Sequence, residues 1–470
     1  MKLRIYSTVL MLLLALPLFA QQQAVQMTLE EAIDYALENS LKIKNAQVDI
    51  ADAEEQIVER RSSGLPQVTG AANFQHYMAV PRQPLPEGFD IFGLFGQALA
   101  VDLYDQLSEP TQMAVDQSFS GGNGTGGEDG IAFFLQNNFT ASINVDAMIF
   151  DGSFFVALEA AKQYRKYTLR EFATKQREVE NTVVEAYLPV LLVQENISLL
   201  QKNISNLENL LFETRELYNA GFAEQLDIDR QELSLSNLRI ERENLVRQKE
   251  LALHNLKYTI GFPLGEPLVV TDDLDAMATE AELLLRQDPN PSARPEVALI
   301  DQAIRMNELN IKLNKAGYLP SLRAFGTAQQ QYQGDDFETG FWAPAAYVGL
   351  NLSVPIFDGL NKKAKIQRAR LELERTRNQR EDLIRGIRLE VNQARTNFRN
   401  AASRLQNQQD NLELAGRIYE TAQVKYREGV GSSLEVTQAE QSLYSTQSNY
   451  MQALYDVLLS KARLEMALGE

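Results

Sequence analysis

The side chains that could carry chemistry in this sequence are two histidines and many carboxylates. His76 falls in an expected strand and His254 in an expected helix, so the sequence does not predict a histidine-based triad or a zinc site. Most carboxylates follow helical patterns, where they usually form a solvated face. The chain has no cysteine, which excludes disulfides and thiolate metal sites. The sequence therefore predicts a protein that is not an enzyme and uses no cofactor.

A glycine-rich run at residues 121–127 has the composition of a phosphate-binding loop. Such a loop follows a strand and opens a helix, and neither pattern flanks this run. A nucleotide site is therefore not predicted there. Nucleic acid is also an unexpected partner, because 63 acidic against 45 basic residues give a net charge of −18, whereas phosphate backbones are bound by basic surfaces.

The carboxylates with the most defined position follow two glycines that are 208 residues apart. Asp227 stands six residues after Gly221, and Glu435 stands six residues after Gly429. The other matching pairs are Tyr218 and Tyr426, Leu226 and Leu434, Leu256 and Leu464, Gly261 and Gly469 and, at a spacing of 207, Asp151 and Asp358. A duplication of this length predicts that the chain is built from two copies of one structural unit.

Each copy is expected to contain one very long helix. Apolar or small side chains recur at spacings of three and four from Val183 to Tyr218 and from Val391 to Tyr426, which is the pattern of a coiled-coil seam. Each helix should begin just after its Phe-Asp-Gly and end at its tip glycine, which gives about 67 residues and about 100 Å at a rise of about 1.5 Å per residue. Pro189 is expected to bend the first of the two helices.

The remaining helical patterns are shorter. Helices are expected at about 28–63, 223–260, 295–317 and 432–468. The first of them has a capping box formed by Thr28 and Glu31. Each long helix and the helix after its tip glycine should form a helical hairpin. The ends of the two hairpins are then residues 219–225 and 427–433. Because the first two of the four have similar lengths, they could stack end to end beside a single long helix.

Four segments alternate between apolar and polar residues, which predicts strands with one apolar and one polar face. They are residues 67–77, 138–149, 322–332 and 348–356. The polar positions include Thr140, Ser142, Asn144, Asn351 and Ser353, and the aromatic residues near expected strand ends are Phe74, Tyr77, Phe150, Phe341, Trp342, Tyr347 and Phe357. From the strands alone, a half-buried soluble sheet and a membrane barrel are equally good interpretations.

The polar faces and the aromatic residues favour the membrane barrel. Small uncharged side chains suit a water-filled lumen, and membrane barrels carry aromatic girdles at both interfaces. Four strands cannot close a barrel, since the smallest have about eight, and open edges in lipid would leave backbone groups unpaired. The barrel must then be shared among chains, with two or three copies contributing four strands each.

The N-terminal residues 1–20 have the pattern of a secretory signal peptide, with Lys2 and Arg4 before an apolar stretch. No later run approaches the ~20 consecutive apolar residues of a membrane-spanning helix, so entry into a membrane would be by strands. The rest divides into a first repeat at 21–260, a connecting segment at 261–294 and a second repeat at 295–470. The first repeat has about 47 more residues between its strands than the second, and barrels place their long loops outside.

Taken together, several short motifs resemble the TolC family of outer-membrane efflux proteins. They are Thr28-Leu29-Glu30-Glu31-Ala32, Gly317-Tyr318-Leu319-Pro320-Ser321-Leu322, the two Ile-Phe-Asp-Gly elements and the two Tyr-x-x-Gly tips. In this order, and twice over, they cover the chain from about residue 27 to 469. The resemblance implies an α+β membrane protein in which a homotrimer shares a twelve-stranded outer-membrane β-barrel, four strands per chain, continued by a long α-helical coiled-coil tunnel in the periplasm.

The resemblance also implies the function and the partners. The family consists of passive outer-membrane channels of tripartite efflux or type I secretion systems, which lie in outer-membrane lipid with their helices in the periplasm. Their helical tips gate the tunnel and dock a periplasmic adaptor protein, which joins the channel to an energised inner-membrane pump. The exported substrate does not follow from the fold or the motifs.

The same resemblance assigns roles to residues at the tips. The expected gate consists of Asp227, Tyr426, Glu435 and Gln438, where the family has a second acid at the position of Gln438. A hydrogen bond between Tyr426 and Asp227 remains possible as a lock, whereas Gly431 stands where the lock of the family has an arginine. The expected adaptor-docking residues are Tyr218, Gly221, Leu226, Gly429 and Leu434, and the expected lumen residues are Thr140, Ser142, Asn144, Asn351 and Ser353. Ordinary helix capping also explains Asp227 and Glu435, because acids favour the first turn of a helix.

A different class of protein stays open from the sequence. A periplasmic coiled-coil adaptor or scaffold would also have long helices, without entering a membrane. It should show one helical hairpin flanked by β-rich lipoyl-like segments, whereas this chain shows two hairpins and four barrel-like strands. A hydrolase acting on surface polymers is a weaker alternative, since the sequence shows no catalytic cluster.

Overall fold

The computed structural model describes residues 24–80, 82–83, 108–113, 131–132, 135–277, 289–336, 338 and 340–469. The expected signal peptide at 1–20, the glycine run at 121–127 and most of the long loop of the first repeat lie outside these residues. The described residues form two compact units. The helical unit contains residues 24–57, 158–277, 289–313 and 363–469, and the sheet unit contains the described parts of 58–157 and 314–362. The division of the sequence into repeats at 21–260 and 295–470 stays a prediction.

The elements alternate between short strands, long strands and helices along the chain. The strands are β1 (Val25–Met27), β2 (Gln67–His76), β3 (Arg82–Gln83), β4 (Ile131–Ala132), β5 (Asn137–Asp151), β6 (Leu268–Val270), β7 (Ser321–Gly334) and β8 (Phe341–Ser353). The α-helices are α1 (Leu29–Asn39), α2 (Leu41–Ser62), α3 (Gly152–Asn219), α4 (Gln225–Ile260), α5 (Leu274–Met277), α6 (Pro295–Ala316), α7 (Asn361–Arg427) and α8 (Ser433–Leu468).

Most helices begin and end at the signals that the sequence provides. Thr28 accepts a hydrogen bond from the N–H of Glu31 at 3.3 Å, and the Glu31 carboxylate accepts one from the N–H of Thr28 at 2.9 Å, so the capping box is confirmed. α4 and α8 end at Gly261 and Gly469 in the left-handed conformation. The single helix expected from 28 to 63 is wrong in one respect, because Ser40, with ψ of 132°, leaves the helical region and separates α1 from α2.

The two long helices have the expected length and the same kind of start. α3 has 68 residues and α7 has 67. Asp151 accepts a hydrogen bond from the N–H of Ser153 at 2.8 Å, and Asp358 accepts one from the N–H of Lys362 at 2.9 Å. The aspartate of each Phe-Asp-Gly element therefore satisfies a free N–H group of the first turn, where a negative charge is favoured. α3 continues as a helix through Pro189.

The sheet unit is built on a four-stranded antiparallel sheet with the order β2-β5-β7-β8. The four expected strands are confirmed with adjusted ends. β8 begins at Phe341, earlier than expected, and ends at Ser353, before the expected Ile356. Pro344 lies within the paired part of β8. A proline is tolerated there because β8 is an edge strand of this sheet, where one row of N–H groups has no ladder partner.

A small parallel sheet in the helical unit was not expected from the sequence. β1 pairs with β6, with Met27 opposite Val270. Each strand has three residues, which is too short for a periodic pattern. The hydroxyl of Tyr187 on α3 lies 2.9 Å from the carbonyl oxygen of Met27 and 2.8 Å from Oδ2 of Asp272. These contacts tie the small sheet to the first long helix.

The apolar core of the helical unit lies where α3 meets the shorter helices. Leu188 and Leu191 of α3 are buried in the same cluster as Leu256 and Ile260 of α4. By length and composition, α3 is also the one described helix with a segment apolar enough to cross a membrane, and a third of that segment is buried. One such helix, judged by length and composition alone, is weak evidence for a membrane span.

Candidate functional site

Both tips are exposed turns that follow a long helix. Gly221 and Gly429 adopt the left-handed conformation, with φ of 85° and 74°, as expected for glycine after a helix end. The N–H groups of Phe222 and Val430 bond back across the glycine to carbonyls five residues earlier, at 2.8 and 3.0 Å. The exposed apolar side chains at the tips are Tyr218, Phe222, Leu226, Val430 and Leu434. The tips therefore present a small apolar surface on two fixed turns.

Asp227 connects the two tips through a partner that the sequence did not indicate. One carboxylate oxygen accepts a hydrogen bond from the N–H of Glu224 at 3.1 Å, which completes a capping box at the start of α4. The other oxygen accepts a hydrogen bond from the hydroxyl of Ser433 at the start of α8. Arg230 lies 3.9 Å from the same oxygen and donates a hydrogen bond to Ser433 at 3.4 Å. Asp227 thus both caps its helix and binds the second tip.

The hydrogen bond considered between Tyr426 and Asp227 is not formed in the described chain. Tyr426 is buried, with 9% of its surface exposed, and its hydroxyl makes no well-formed hydrogen bond to any residue that the structure describes. Burial raises the pKa of Tyr426, and the nearby Thr214 hydroxyl offsets this only in part. Thr214 donates its hydroxyl proton to the carbonyl oxygen of Leu210 at 2.9 Å and accepts a hydrogen bond from Gln231 at 2.8 Å.

A second link between the hairpins is an ion pair that the sequence analysis did not predict. Arg427, the last residue of α7, donates two hydrogen bonds to the Glu213 carboxylate on α3, at 2.8 and 3.1 Å. Two parallel bonds of this kind make the stronger form of ion pair, although both side chains are about half exposed and the pair contributes only about 1 kcal/mol. This pair supplies a charged contact between the hairpins, whereas Gly431 stands where the family has the arginine that was expected to make one. No signal in the sequence connects Arg427 with a residue 214 positions away.

Glu435 and Gln438 occupy a different environment from Asp227 and Tyr426. Both are exposed and line a groove of about 530 Å³ between α7 and α8, together with Lys425. The structure therefore brings together two of the four expected gate residues in this groove. Asp227 and Tyr426 lie instead among the contacts between the hairpins.

The five expected lumen residues share one face of the sheet. The pairing register places Thr140, Ser142, Asn144, Asn351 and Ser353 on this face. The hydroxyl of Thr327 donates a hydrogen bond to Oδ1 of Asn144 at 2.9 Å across β7 and β5. Tyr347 lies on the same face, in edge-to-face contact with Phe325 at 6.4 Å. The expectation that Tyr347 lies near a strand end is wrong, because it occupies the middle of β8.

The opposite face of the sheet is apolar and exposed. Val68 and Val348 lie in one row of the register, and both are more than half exposed. An aromatic row at the hairpin end of this face consists of Phe74, Phe139, Tyr332 and Trp342. Trp342 packs against Tyr332 at 5.2 Å between ring centroids. A sheet in water would bury such a face, which makes its exposure in one chain informative.

The most deeply buried carboxyl group near the tips is Glu440 on α8, which is 1% exposed. It accepts a hydrogen bond from the Tyr444 hydroxyl at 2.6 Å and interacts with the Ser234 hydroxyl of α4. Tyr419 of α7 is the other titratable group that faces it. Burial raises the pKa of Glu440, and the two hydroxyl groups only partly reverse this shift.

Replacing Glu440 by Gln should stabilise the helical unit at neutral pH. A carboxyl whose folded pKa is raised contributes its full stability below the unfolded pKa, and that stability is lost as pH rises through the folded pKa. Glu440→Gln removes this loss. Its midpoint of thermal unfolding, measured by circular dichroism, should therefore exceed the wild-type midpoint by about 2 °C at pH 8. At pH 4 the midpoint of the variant should not exceed that of the wild type. The exposed Glu420→Gln on α7 is the matched control. An equal gain at both pH values would contradict the burial argument.

Among the residues that the structure describes, no group of three or more histidines, aspartates or glutamates could hold a metal ion. His76 lies in β2 and His254 in α4. The polar chemistry found at the tips consists of hydrogen bonds and ion pairs that join two helical hairpins.

Comparison with known proteins gives consistent relatives along most of the chain. A family model described as outer membrane efflux protein matches residues 127–261 and 292–470. The alkaline protease secretion protein AprF of Pseudomonas aeruginosa is 21% identical over 347 residues, which cover 71% of this chain and 70% of AprF. The outer membrane protein TolC of Vibrio cholerae is 21% identical over 348 residues, with coverages of 70% and 76%. A crystal structure of CusC shares the fold, with a TM-score of 0.68 at 16% identity over 97% of this chain and 95% of CusC.

Proposed function

Because this chain belongs to the outer membrane efflux protein family, we propose that three copies of it form one channel that opens and closes at the helical tips. The protein is a passive outer-membrane channel of a tripartite efflux or type I secretion system, with its helices in the periplasm. In the proposal, three sheet units close a twelve-stranded barrel and three helical units enclose a tunnel. A periplasmic adaptor docks on the tips, and an inner-membrane pump supplies the free energy. The channel itself has no catalytic role.

The sheet carries this proposal, because neither its apolar face nor its two edges have partners among the residues that the structure describes. Trp342 and Leu352 mark the ends of the apolar face and are ten residues apart on β8. This separation is about 34 Å along a strand and about 25 Å across a membrane at the tilt of about 40–45° usual in barrels. The value matches the apolar band of outer-membrane barrels. β2 and β8 are the edges, so β8 of one copy would pair with β2 of the next.

The helical unit offers surfaces for contact between copies. Exposed apolar residues follow one stripe of α4 at intervals of seven residues with one longer step. They are Leu226, Leu233, Ile240, Leu251 and Tyr258. A seven-residue repeat of apolar side chains is the seam of a coiled coil, and no helix in the described part of the chain covers this one. The stripe supports an assembly of copies through their helices.

The links between hairpins support a gate at the tips. Asp227 with Ser433, and Arg427 with Glu213, hold the two tips of one chain together. Glu435 and Gln438 would then face the opening, where a carboxylate attracts cations and an amide does not repel anions. The exposed tip side chains, Tyr218, Leu226 and Leu434 among them, with the turns at Gly221 and Gly429, would form the surface on which the adaptor docks. Thr140, Ser142, Asn144, Asn351 and Ser353 would line the water-filled barrel.

Breaking both links should open the channel in the absence of an adaptor or pump. The double variant Asp227→Ala, Arg427→Ala removes contacts worth about 1–2 kcal/mol in each chain. A change of this size shifts the ratio of open to closed tips by about 5–30-fold. We therefore expect discrete steps of conductance in planar bilayers that are larger and more frequent than those of the wild type.

The matched control is Arg463→Ala, which breaks an ion pair of similar exposure between α8 and α3, away from the tips. This variant should conduct like the wild type. If the double variant conducted no more than the wild type, the two links would not hold the channel closed. The same conclusion would follow if the control variant conducted as much as the double variant. Recovery of the wild type in the soluble periplasmic fraction without detergent would instead favour a scaffold that never enters a membrane.

A further inference from the structure

Basic residues collect at the end of the sheet unit from which the helices leave. Arg60 and Arg61 form the last turn of α2, Lys315 lies in the last turn of α6, and all three are exposed. Within the described residues, none of the three has a carboxylate at ion-pair distance. In a chain with a net charge of −18, these three residues leave a locally basic surface at this end of the sheet unit.

The opposite end of the sheet unit has the reverse charge. Asp335 and Asp336 follow β7 at the hairpin, and Glu338 stands in the same turn. Asp335 accepts a hydrogen bond from the N–H of Gln136 at 3.2 Å. The exposed apolar face of the sheet therefore lies between the basic residues at one end and this acidic turn at the other.

Contacts within the sheet unit bring the basic residues to the same surface as exposed apolar side chains. Lys362, at the start of α7, lies 5.3 Å from the ring centroid of Tyr318 and approaches Gly317, two residues after Lys315. The ring of Phe154, at the start of α3, packs over Gly64, three residues after Arg61. The apolar side chains that remain exposed here are Leu65, Phe155, Tyr318, Leu319, Ile356 and Phe357. We call Arg60, Arg61 and Lys315 with these apolar residues the basic rim.

We propose that the basic rim binds the headgroups of anionic phospholipids in the periplasmic leaflet of the outer membrane. Exposed aromatic and apolar side chains beside arginine and lysine are typical of the boundary between hydrocarbon and water, where long basic side chains reach the headgroups. Each basic residue near an anionic membrane surface contributes up to about 1 kcal/mol, whereas a zwitterionic surface offers no net attraction. The inference rests on the proposed barrel, because the helices in the periplasm make this end of the sheet unit its periplasmic end.

The test compares lipid binding by the purified, delipidated protein in detergent. Native mass spectrometry would count bound phosphatidylglycerol against phosphatidylethanolamine. We expect the wild type to retain phosphatidylglycerol preferentially, and the variant Arg60→Gln, Arg61→Gln, Lys315→Gln to reduce this preference by about tenfold or more. The control variant neutralises three exposed basic residues of the helical unit, Lys202, Arg388 and Arg399, and should keep the wild-type preference.

Two outcomes would overturn the proposal. One is a rim variant with the same preference as the wild type, and the other is a control variant that loses the preference equally. If the rim variant did not fold, the wild type alone would decide, since its preference must exist and must weaken as salt screens the charges. Conductance in planar bilayers separates this result from the proposed function, because a conducting protein without lipid preference contradicts the rim only.

Discussion

Replacing Gly261 by alanine should destabilise the helical unit by about 2–5 kcal/mol, although only one methyl group is added. Gly261 ends α4 with φ of 76°, which costs an alanine about 1–2 kcal/mol. A Cβ at this position would also lie 2.9 Å from the carbonyl oxygen of Asn39 and 3.4 Å from Cα of Ser40. These neighbours are backbone atoms, so the end of α4 and the junction of α1 with α2 would have to move apart.

The second repeat provides the matched control for this prediction. Gly469 ends α8 at the equivalent position with φ of 96°, but the nearest atoms to its Cβ are side-chain atoms of Arg294 and Ala293 at 3.7 Å or more. Gly469→Ala should therefore lose only the stability that an alanine costs in the left-handed conformation, about 1–2 kcal/mol. The midpoints of thermal unfolding, measured by circular dichroism in one detergent, compare the two variants. Equal losses would mean that the contact with Asn39 is not needed for the packing of α4.

The long elements were predictable because their signals are periodic and occur twice. The apolar seams of α3 and α7 run over many turns, and each ends at a glycine that recurs at the equivalent position of the other repeat. The alternation of β5 likewise needs no information from the rest of the chain. The start of β8 was missed because Pro344 interrupts the pattern, and its tolerance depends on the edge position of the strand in the sheet.

Features that depend on tertiary contact could not be predicted from local sequence. Ser40 breaks the first helix where the end of α4 packs against it, and the two segments are more than 200 residues apart. The partners at the tips depend in the same way on how the hairpins approach each other. Asp227 binds the hydroxyl of Ser433 and Glu213 binds Arg427, whereas Tyr426 is buried in the packing between the hairpins and does not bond to Asp227.

The segment before α6 contains a buried arginine whose loss should be more damaging than that of any exposed ion pair. Arg294 is 11% exposed and makes two hydrogen bonds to Glu296, both at 3.1 Å. It also donates to the carbonyl oxygens of Met466 and Ala467 at 3.1 and 3.2 Å, and it lies 3.4 Å from Glu390. One side chain thus satisfies the free carbonyls at the end of α8 and neutralises two carboxylates.

Arg294→Ala should lower the free energy of unfolding by about 3–5 kcal/mol, because it leaves Glu296 partly buried without its main partner. Burial alone would raise the pKa of Glu296, but the hydrogen bonds from Arg294 outweigh it and hold this pKa below its usual value. A depressed pKa stabilises the fold above the unfolded pKa, and this contribution is lost as pH falls through the folded pKa. The gap in unfolding midpoint between wild type and variant should therefore be wide at pH 7 and narrow below pH ~4.

Two further variants separate the charge of Arg294 from its geometry. Arg294→Lys keeps a cation but cannot form the two parallel bonds to Glu296, so its loss should be intermediate. Adding Glu296→Gln to Arg294→Ala removes the partnerless carboxylate and should recover part of the stability, which a double-mutant cycle would measure as coupling. If the double variant were no more stable than Arg294→Ala, the carbonyls of Met466 and Ala467 would be the contacts that matter. Arg294 would then act as the C-terminal cap of α8, in the place where the first repeat uses the close packing of Gly261 on Asn39.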